Sequence, residues 1–221
     1  MTLKEFGLTD AQIELFELYS NLLLEWNEKF NLTAITDKDD IIEKHFIDSL
    51  YLTKYISLEN KSLLDVGSGA GFPGIPLAIV SPSTQVTLLE SNGKKVSFLK
   101  EVVNKLNLKN VQIIQGRSEE LSMRELFDFV TARAVKQLNI LLEISTHLLK
   151  VGGKFIAYKG DAEDELNESK QAIKKLSLEV IADYKYELPN AGKRELILFY
   201  KINKTPNKYP RRYSEIVKSP L

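Results

Sequence analysis

The segment Asp65-Val66-Gly67-Ser68-Gly69-Ala70-Gly71-Phe72-Pro73-Gly74 sets glycines at alternate positions behind a carboxylate. Apolar Ser62-Leu63-Leu64 precedes it and Ile75-Pro76-Leu77-Ala78-Ile79-Val80 follows, an order that reads as strand, turn, helix. Glycine admits positive φ and lets the backbone approach a ligand without interference from a Cβ. A turn that opens a helix also offers backbone N–H groups to a carboxylate or phosphate. The chemistry indicated is the binding of a nucleotide-like cofactor.

Two loop patterns overlap here. Gly69-Ala70-Gly71-Phe72-Pro73-Gly74 fits G-x-G-x-x-G, the dinucleotide fingerprint. Asp65 argues against a diphosphate, because its carboxylate adds negative charge where the phosphates would lie. Pro73 removes one N–H from the start of the helix. An acidic loop suits a ligand that carries an ammonium beside its carboxylate, as S-adenosylmethionine does. The pattern Asp65-x-Gly67-x-Gly69-x-Gly71 is the loop of its α/β methyltransferases. Glu90 ends the next apolar stretch, Gln85-Val86-Thr87-Leu88-Leu89, nineteen residues after Gly71. An acid at that edge and distance accepts hydrogen bonds from ribose hydroxyls.

The ends of later strands extend the set. Gly116-Arg117-Ser118-Glu119 follows Val111–Gln115, Ala132-Arg133-Ala134-Val135 follows Phe127–Thr131, and Lys159 closes Lys154–Lys159. All fall on one carboxyl edge and so can line one pocket. Arg133 stands out, as a cation between apolar residues just past a central strand. Net charge is zero, yet residues 201–221 carry six bases against Glu215 alone. Lys208-Tyr209-Pro210-Arg211-Arg212-Tyr213 alternates cations with rings, a composition suited to phosphate contact and base stacking.

The elements that must position these residues alternate along the chain. Thr9-Asp10-Ala11-Gln12 is a capping-box start; the helix it opens sets Ile13, Phe16, Leu23, Trp26 and Phe30 on one face. A second helical stretch runs over 40–55. Strands are predicted at 62–66, 85–89, 111–115, 127–131 and 154–159, with helices over 94–106 and 135–149 between them. A final pair, 179–187 and 195–201, flanks the turn Pro189-Asn190-Ala191-Gly192. This pattern predicts a mostly parallel sheet with one antiparallel strand. The 221 residues suit a single domain: a helical extension over 1–60, a core over 61–203 and a basic tail over 204–221. Without cysteine there is no disulfide, thiolate metal site or Cys nucleophile, and the two histidines, His45 and His147, make no metal site. The N-terminus does not read as a signal peptide, and no apolar run approaches ~20 residues. A cytosolic setting is expected.

Read together, these pieces resemble the small-subunit ribosomal RNA guanine-N7 methyltransferases, the glucose-inhibited division protein B family. The resemblance rests on Asn31-Leu32-Thr33-Ala34-Ile35, His45-Phe46-Ile47-Asp48-Ser49-Leu50, residues 65–79, Glu90 with Lys94-Lys95, Gly116–Glu119, Phe127–Val135 and Lys208-Tyr209-Pro210-Arg211-Arg212. It departs where that family tends to continue with a Gly-x-Pro turn and Tyr213–Val217 stands here instead. The resemblance implies a Rossmann-like class I fold, α/β with a seven-stranded sheet, and methyl transfer from S-adenosylmethionine to a guanine N7 of 16S rRNA in the small ribosomal subunit. A monomer that binds no membrane is expected. By carry-over Gly67 and Phe72 contact the cofactor, with Asp65 and Gly69 in the same loop. Glu90 holds the ribose, and Ser118 and Glu119 the adenine end. Arg133 lies between methyl donor and guanine as the catalytic residue and a cofactor contact. Lys159, Arg211 and Arg212 contact RNA. His45 and Asp48 buttress the N-terminal helices.

The chemistry agrees with what the chain lacks. Guanine N7 has an in-plane lone pair and loses no proton on methylation, so no general base is needed. The Asn/Asp-Pro-Pro-aromatic turn common in exocyclic-amine methylation is replaced by Thr131-Ala132-Arg133-Ala134. Two other classes stay open: a nicotinamide-dependent oxidoreductase and a non-catalytic RNA-binding assembly factor.

Overall fold

A computed structural model describes residues 2–221; Met1 lies outside the described residues. After a 3-10 turn, Leu3–Phe6, comes α1 (Asp10–Lys29), then a composite helix. The composite consists of α2 (Lys38–Ile41), a π-helical stretch Ile42–Ile47, α3 (Asp48–Leu50) and a 3-10 turn Tyr51–Lys54. The core follows as β1 (Ser62–Val66), α4 (Gly74–Val80), β2 (Gln85–Glu90), α5 (Gly93–Lys105), β3 (Val111–Gln115), β4 (Phe127–Arg133), α6 (Leu138–Ser145) and β5 (Leu149–Lys159). The chain ends with α7 (Glu163–Glu168), α8 (Lys170–Lys175), β6 (Leu178–Leu188), β7 (Gly192–Lys201) and α9 (Tyr213–Lys218).

The strands form one seven-stranded sheet in the order β3-β2-β1-β4-β5-β7-β6. β1 to β5 are parallel and β7 runs antiparallel to both neighbours, as the hairpin pattern predicts. Strand order reverses at β1, whose neighbours are β2 and β4, so the crevice beyond its carboxyl end is the ligand position of such sheets.

Alternation along each strand divides the apolar residues between two cores. Leu63 and Leu88 join Phe16, Phe46, Leu77 and Phe98 on the face covered by α1, the composite helix, α4 and α5. Leu64 and Leu89 join Leu141, Leu142, Phe155 and Leu176 on the face covered by α6 and α8. Tyr209 and Leu221 belong to this second core, so the basic segment is packed down at both places.

The capping box forms as predicted, Thr9 N–H donating to Gln12 Oε1 at 3.0 Å and Gln12 N–H to Thr9 Oγ1 at 3.3 Å. Three local expectations differ. The helix expected over 40–55 is interrupted by the π stretch, a backbone variant that side-chain periodicity does not signal. The helix expected over 135–149 starts only at Leu138 and passes through a 3-10 turn, Thr146–Leu148. β5 starts five residues early, at Leu149, and reaches through Gly152-Gly153 across a register shift in its pairing with β4.

Candidate active site

The glycine loop is wired to itself and to β2. Gly67 and Ser68 N–H donate to Leu89 O at 2.8 and 3.1 Å, and Gly71 and Phe72 N–H to Ser68 O at 2.7 and 3.0 Å. Gly69 N–H donates to Glu90 Oε2 at 2.8 Å, and Gly74 N–H to Asp65 Oδ2 at 3.0 Å. These donors are therefore not free to cradle an anion. Every loop N–H just named is satisfied within the protein, and Pro73 has none. This weakens the physical basis for a diphosphate and with it the dinucleotide reading.

Asp65 is corrected in role. It is fully buried beneath the loop and also accepts from Thr131 Oγ1 at 3.1 Å, so it clamps the turn and does not face a ligand ammonium. Burial pushes its carboxyl up to about 7 against the lowering effect of these hydrogen bonds. A Cβ at Gly74 would stand 2.3 Å from Leu88 Cδ2 and 2.9 Å from Asp65 Oδ2, which explains the glycine at that close approach. Gly69 and Glu90 form a second clamp, since Glu90 Oε1 accepts from Asn92 N–H at 2.8 Å. Each Glu90 oxygen retains a further acceptor site.

A slot opens beside the loop between the ends of β1, β2 and β3. Val66, Gly67, Leu89 and Val135 give it apolar walls, and Ser118 and Glu119 a polar edge. Gly67 has φ +65°, and a Cβ there would lie 2.9 Å from Val135 Cγ2. The missing side chain keeps the slot open. Apolar faces with one polar edge fit a flat heteroaromatic ring with ring nitrogens, as adenine has. Of the expected cofactor residues, Gly67, Ser118 and Glu119 reach this slot, Glu90 lies between wall residues Leu89 and Ser91, and Asp65 and Gly69 brace the loop. Phe72 is buried between the stacked rings of Tyr19 and His45, at 5.4 and 4.4 Å.

A second cavity, of about 450 Å³, lies on the other side of the β4 end, between the composite helix and β5. Ile35, Lys44, His45, Asp48, Arg133 and Tyr158 line it. Arg133 is held from several directions. Nη1 donates to Asp48 Oδ2 at 2.8 Å and to Lys44 O at 3.2 Å, Nη2 meets His45 Nδ1 at 3.0 Å, and the guanidinium lies 5.0 Å from the Phe72 ring centre. Arginine has only donors, so His45 Nδ1 accepts and Nε2–H donates to Thr33 Oγ1 at 2.9 Å. Burial, then the Arg133 charge, pushes the imidazole down to about 3, so it is neutral at physiological pH. Lys44 belongs to the π stretch, and its carbonyl accepts from the Arg133 side chain.

Asp48 is the hub. It is 5% exposed at its side chain, accepts from Tyr186 Oη at 2.8 Å and has Arg194 Nε 3.7 Å away. The N-terminal residues His45 and Asp48 thus orient the arginine directly, beyond the buttressing that the resemblance implied. Tyr19 was missed as well: its hydroxyl donates to Ala70 O and fixes the loop from α1. Its place on the apolar stripe of α1, with Phe16 and Leu23, was the available signal.

The residues expected to contact RNA separate. Lys159 lines the second cavity but is paired with Glu165 at 2.5 Å, also donates to Lys136 O at 3.0 Å, and is only 11% exposed at its side chain. Arg211 is not a free phosphate ligand either. Its Nε and Nη2 form a fork on Glu143, at 2.7 and 2.6 Å, and Glu143 is fully buried. A buried carboxylate needs a paired cation, and that need outweighs the composition of the tail. Arg212 is exposed. Among the described residues no His, Cys, Asp or Glu cluster is arranged for a metal, and no helix is long and apolar enough to cross a membrane.

A sheet of this order with one antiparallel strand, carrying a glycine loop after β1 and a slot at its reversal point, defines a Rossmann-like class I methyltransferase. Solved structures share the fold. The M. jannaschii TYW2 protein in complex with AdoMet aligns with a TM-score of 0.58 at 22% identity, over 71% of this chain and 76% of that one. A SAM-dependent methyltransferase from Aquifex aeolicus aligns at 0.57 and 19%, over 74% and 93%. Sequence carries the assignment further. The family model "GidB: rRNA small subunit methyltransferase G" matches residues 12–197. The chain is 45% identical to the ribosomal RNA small subunit methyltransferase G of Thermoanaerobacter sp. (strain X514), over 99% of this chain and 95% of that protein. It is 44% identical to the protein of that name from Streptococcus agalactiae serotype V, over 97% and 93%. The chain belongs to the rRNA small subunit methyltransferase G family.

Proposed function

We propose that the protein transfers a methyl group from S-adenosylmethionine to N7 of a guanine in 16S rRNA of the small ribosomal subunit, acting as a cytoplasmic monomer. One observation carries this reading. Three consecutive residues join the two cavities: Arg133 and Ala134 line the larger one and Val135 the slot. A donor in the slot and a base in the cavity then meet at a single turn.

The cofactor supplies an electrophilic methyl group on a sulfonium. Val66, Leu89 and Val135 hold its adenine between apolar walls, Ser118 and Glu119 meet the adenine edge, and Glu90 takes the ribose on its remaining acceptor sites. Gly67, lacking a side chain, leaves room beside Val135 in the slot. In the second cavity Arg133 offers Nε–H and its second Nη2 proton, donors not used in the contacts described above, to guanine O6 or a neighbouring phosphate. Held by Asp48, Lys44 O and His45, the guanidinium needs no reorganisation when the base arrives.

His45, the imidazole lining this cavity, is neutral but not set to remove a proton, which suits N7. Both nitrogens of His45 are engaged. Catalysis then rests on alignment, which is worth several kcal/mol when reacting atoms are held about 3–3.5 Å apart. The test is a labelled-methyl assay on small subunits lacking the modification, followed by mass spectrometry of the nucleosides. Label in 7-methylguanosine is expected; protein that leaves every guanine unmethylated would overturn the reading.

A further inference from the structure

The slot is not closed by the sheet and its loops alone. The ring of Tyr213, the first residue of α9, lines it beside Ile144 and Lys136. The centre of that ring lies 5.6 Å from the Arg117 guanidinium, on the β3 side, and 5.9 Å from Lys136 Nζ, on the β4–α6 side. These spacings tie the ring electrostatically to both rims.

The segment bearing Tyr213 is firmly anchored. Two residues earlier, Arg211 forks onto buried Glu143, and its own N–H donates to Glu143 Oε1 at 3.1 Å. Three residues later, Ile216 is fully buried against Ile140 and Ile144. Earlier still, Arg124 donates to Tyr209 O. Glu143, Ile140 and Ile144 all lie on α6, so one helix holds the segment on both sides of the tyrosine.

We propose that Tyr213 is a cofactor-contacting residue, the aromatic outer wall of the nucleoside slot, and that the basic run around it anchors this wall. The inference rests on the reading of the slot given above. A flat ring with a π face is the ligand that an aromatic wall in one slot with Val66 and Leu89 accommodates best. It also assigns Tyr213 to the cofactor where composition alone suggests stacking on RNA bases.

Calorimetric titration with S-adenosylhomocysteine tests the assignment, using the full chain and the variants Tyr213→Ala, Tyr213→Phe and Val217→Ser. Val217 is 49% exposed on the same helix and lines no part of the slot, so it serves as the control. Loss of a stacking ring weakens binding by about tenfold. That loss is expected for Tyr213→Ala only, with Tyr213→Phe within about twofold of wild type because the ring is retained. Melting curves are recorded in parallel.

Wild-type affinity in Tyr213→Ala overturns the proposal, whether or not its melting temperature falls. So does a Tyr213→Phe variant as weak as Tyr213→Ala, or weakened rRNA binding in Tyr213→Ala with unchanged S-adenosylhomocysteine affinity. Wild-type protein that fails to bind S-adenosylhomocysteine overturns the reading of the slot itself, a different result from any of these.

Discussion

Asp48 and Arg133, 85 residues apart in sequence, meet at 2.8 Å at the junction of the N-terminal helices and the sheet. Asp48 also accepts from Tyr186 on β6, so a single carboxylate gathers three distant segments around the arginine. Removing one partner of a buried pair leaves the other charge uncompensated. Arg133→Ala is expected to lower methyl transfer by about 100-fold, the scale of one lost preorganised donor, while S-adenosylhomocysteine binding stays near wild type. Asp48→Asn keeps the shape and loosens the arginine, so a similar split of smaller size is expected. Single-turnover kinetics with calorimetry measure both, and near-normal turnover in Arg133→Ala refutes the role.

Glu90 acts through the loop. Its carboxylate accepts from Gly69 and Asn92 N–H, and a charge-assisted bond of this kind contributes about 1.5–3 kcal/mol. Glu90→Gln can satisfy only one of these donors without turning its amide towards the other. S-adenosylhomocysteine affinity should fall about tenfold, with the fold retained by circular dichroism. An unchanged dissociation constant would count against both the clamp and ribose binding.

The two arginines of the basic run should behave differently. Arg211→Met strands the buried Glu143 carboxylate and is expected to cost about 3–5 kcal/mol of stability in urea unfolding. Arg212→Ala touches no such pair. It should leave stability within about 0.5 kcal/mol and reduce the salt dependence of rRNA binding. The opposite pattern would return Arg211 to the RNA face.

Asp65 gives the native state a pH signature. Below its ordinary value of 3.8 the carboxyl is protonated in both native and unfolded chains. Between there and about 7 the unfolded chain releases the proton that the native chain retains, so this group lowers stability as pH rises, by at most about 1.4 kcal/mol per unit. Above about 7 the penalty is constant. Asp65→Asn cannot ionise, and its stability relative to wild type should climb from pH 4 to 7 and then level off. Urea midpoints across that range measure the difference; a flat difference would show that the site does not titrate there.

Much of the framework was legible because it depends on local patterns. Short apolar and β-branched runs placed all seven strands, and Thr9 with Gln12 marked the start of α1. The loop glycines were readable as a cofactor turn, since positive φ at Gly67, Gly69 and Gly71 is a backbone demand written in residue type. What local patterns left open were side-chain partners. Lys159 and Arg211 look like free cations in sequence, and only Glu165 and Glu143 brought beside them reveal otherwise.

The sequence by itself determined the sheet, the glycine turn and the family, because periodicity, glycine spacing and motif order are properties of the chain read in line. The tertiary structure decided which groups share a site. His45, Asp48, Phe72, Arg133 and Tyr186 come from four separate stretches, and no spacing rule connects them. Their meeting depends on the N-terminal helices packing over the carboxyl ends of β1 and β4. Burial there makes an unpaired charge costly, and so sets which carboxylate must face which cation.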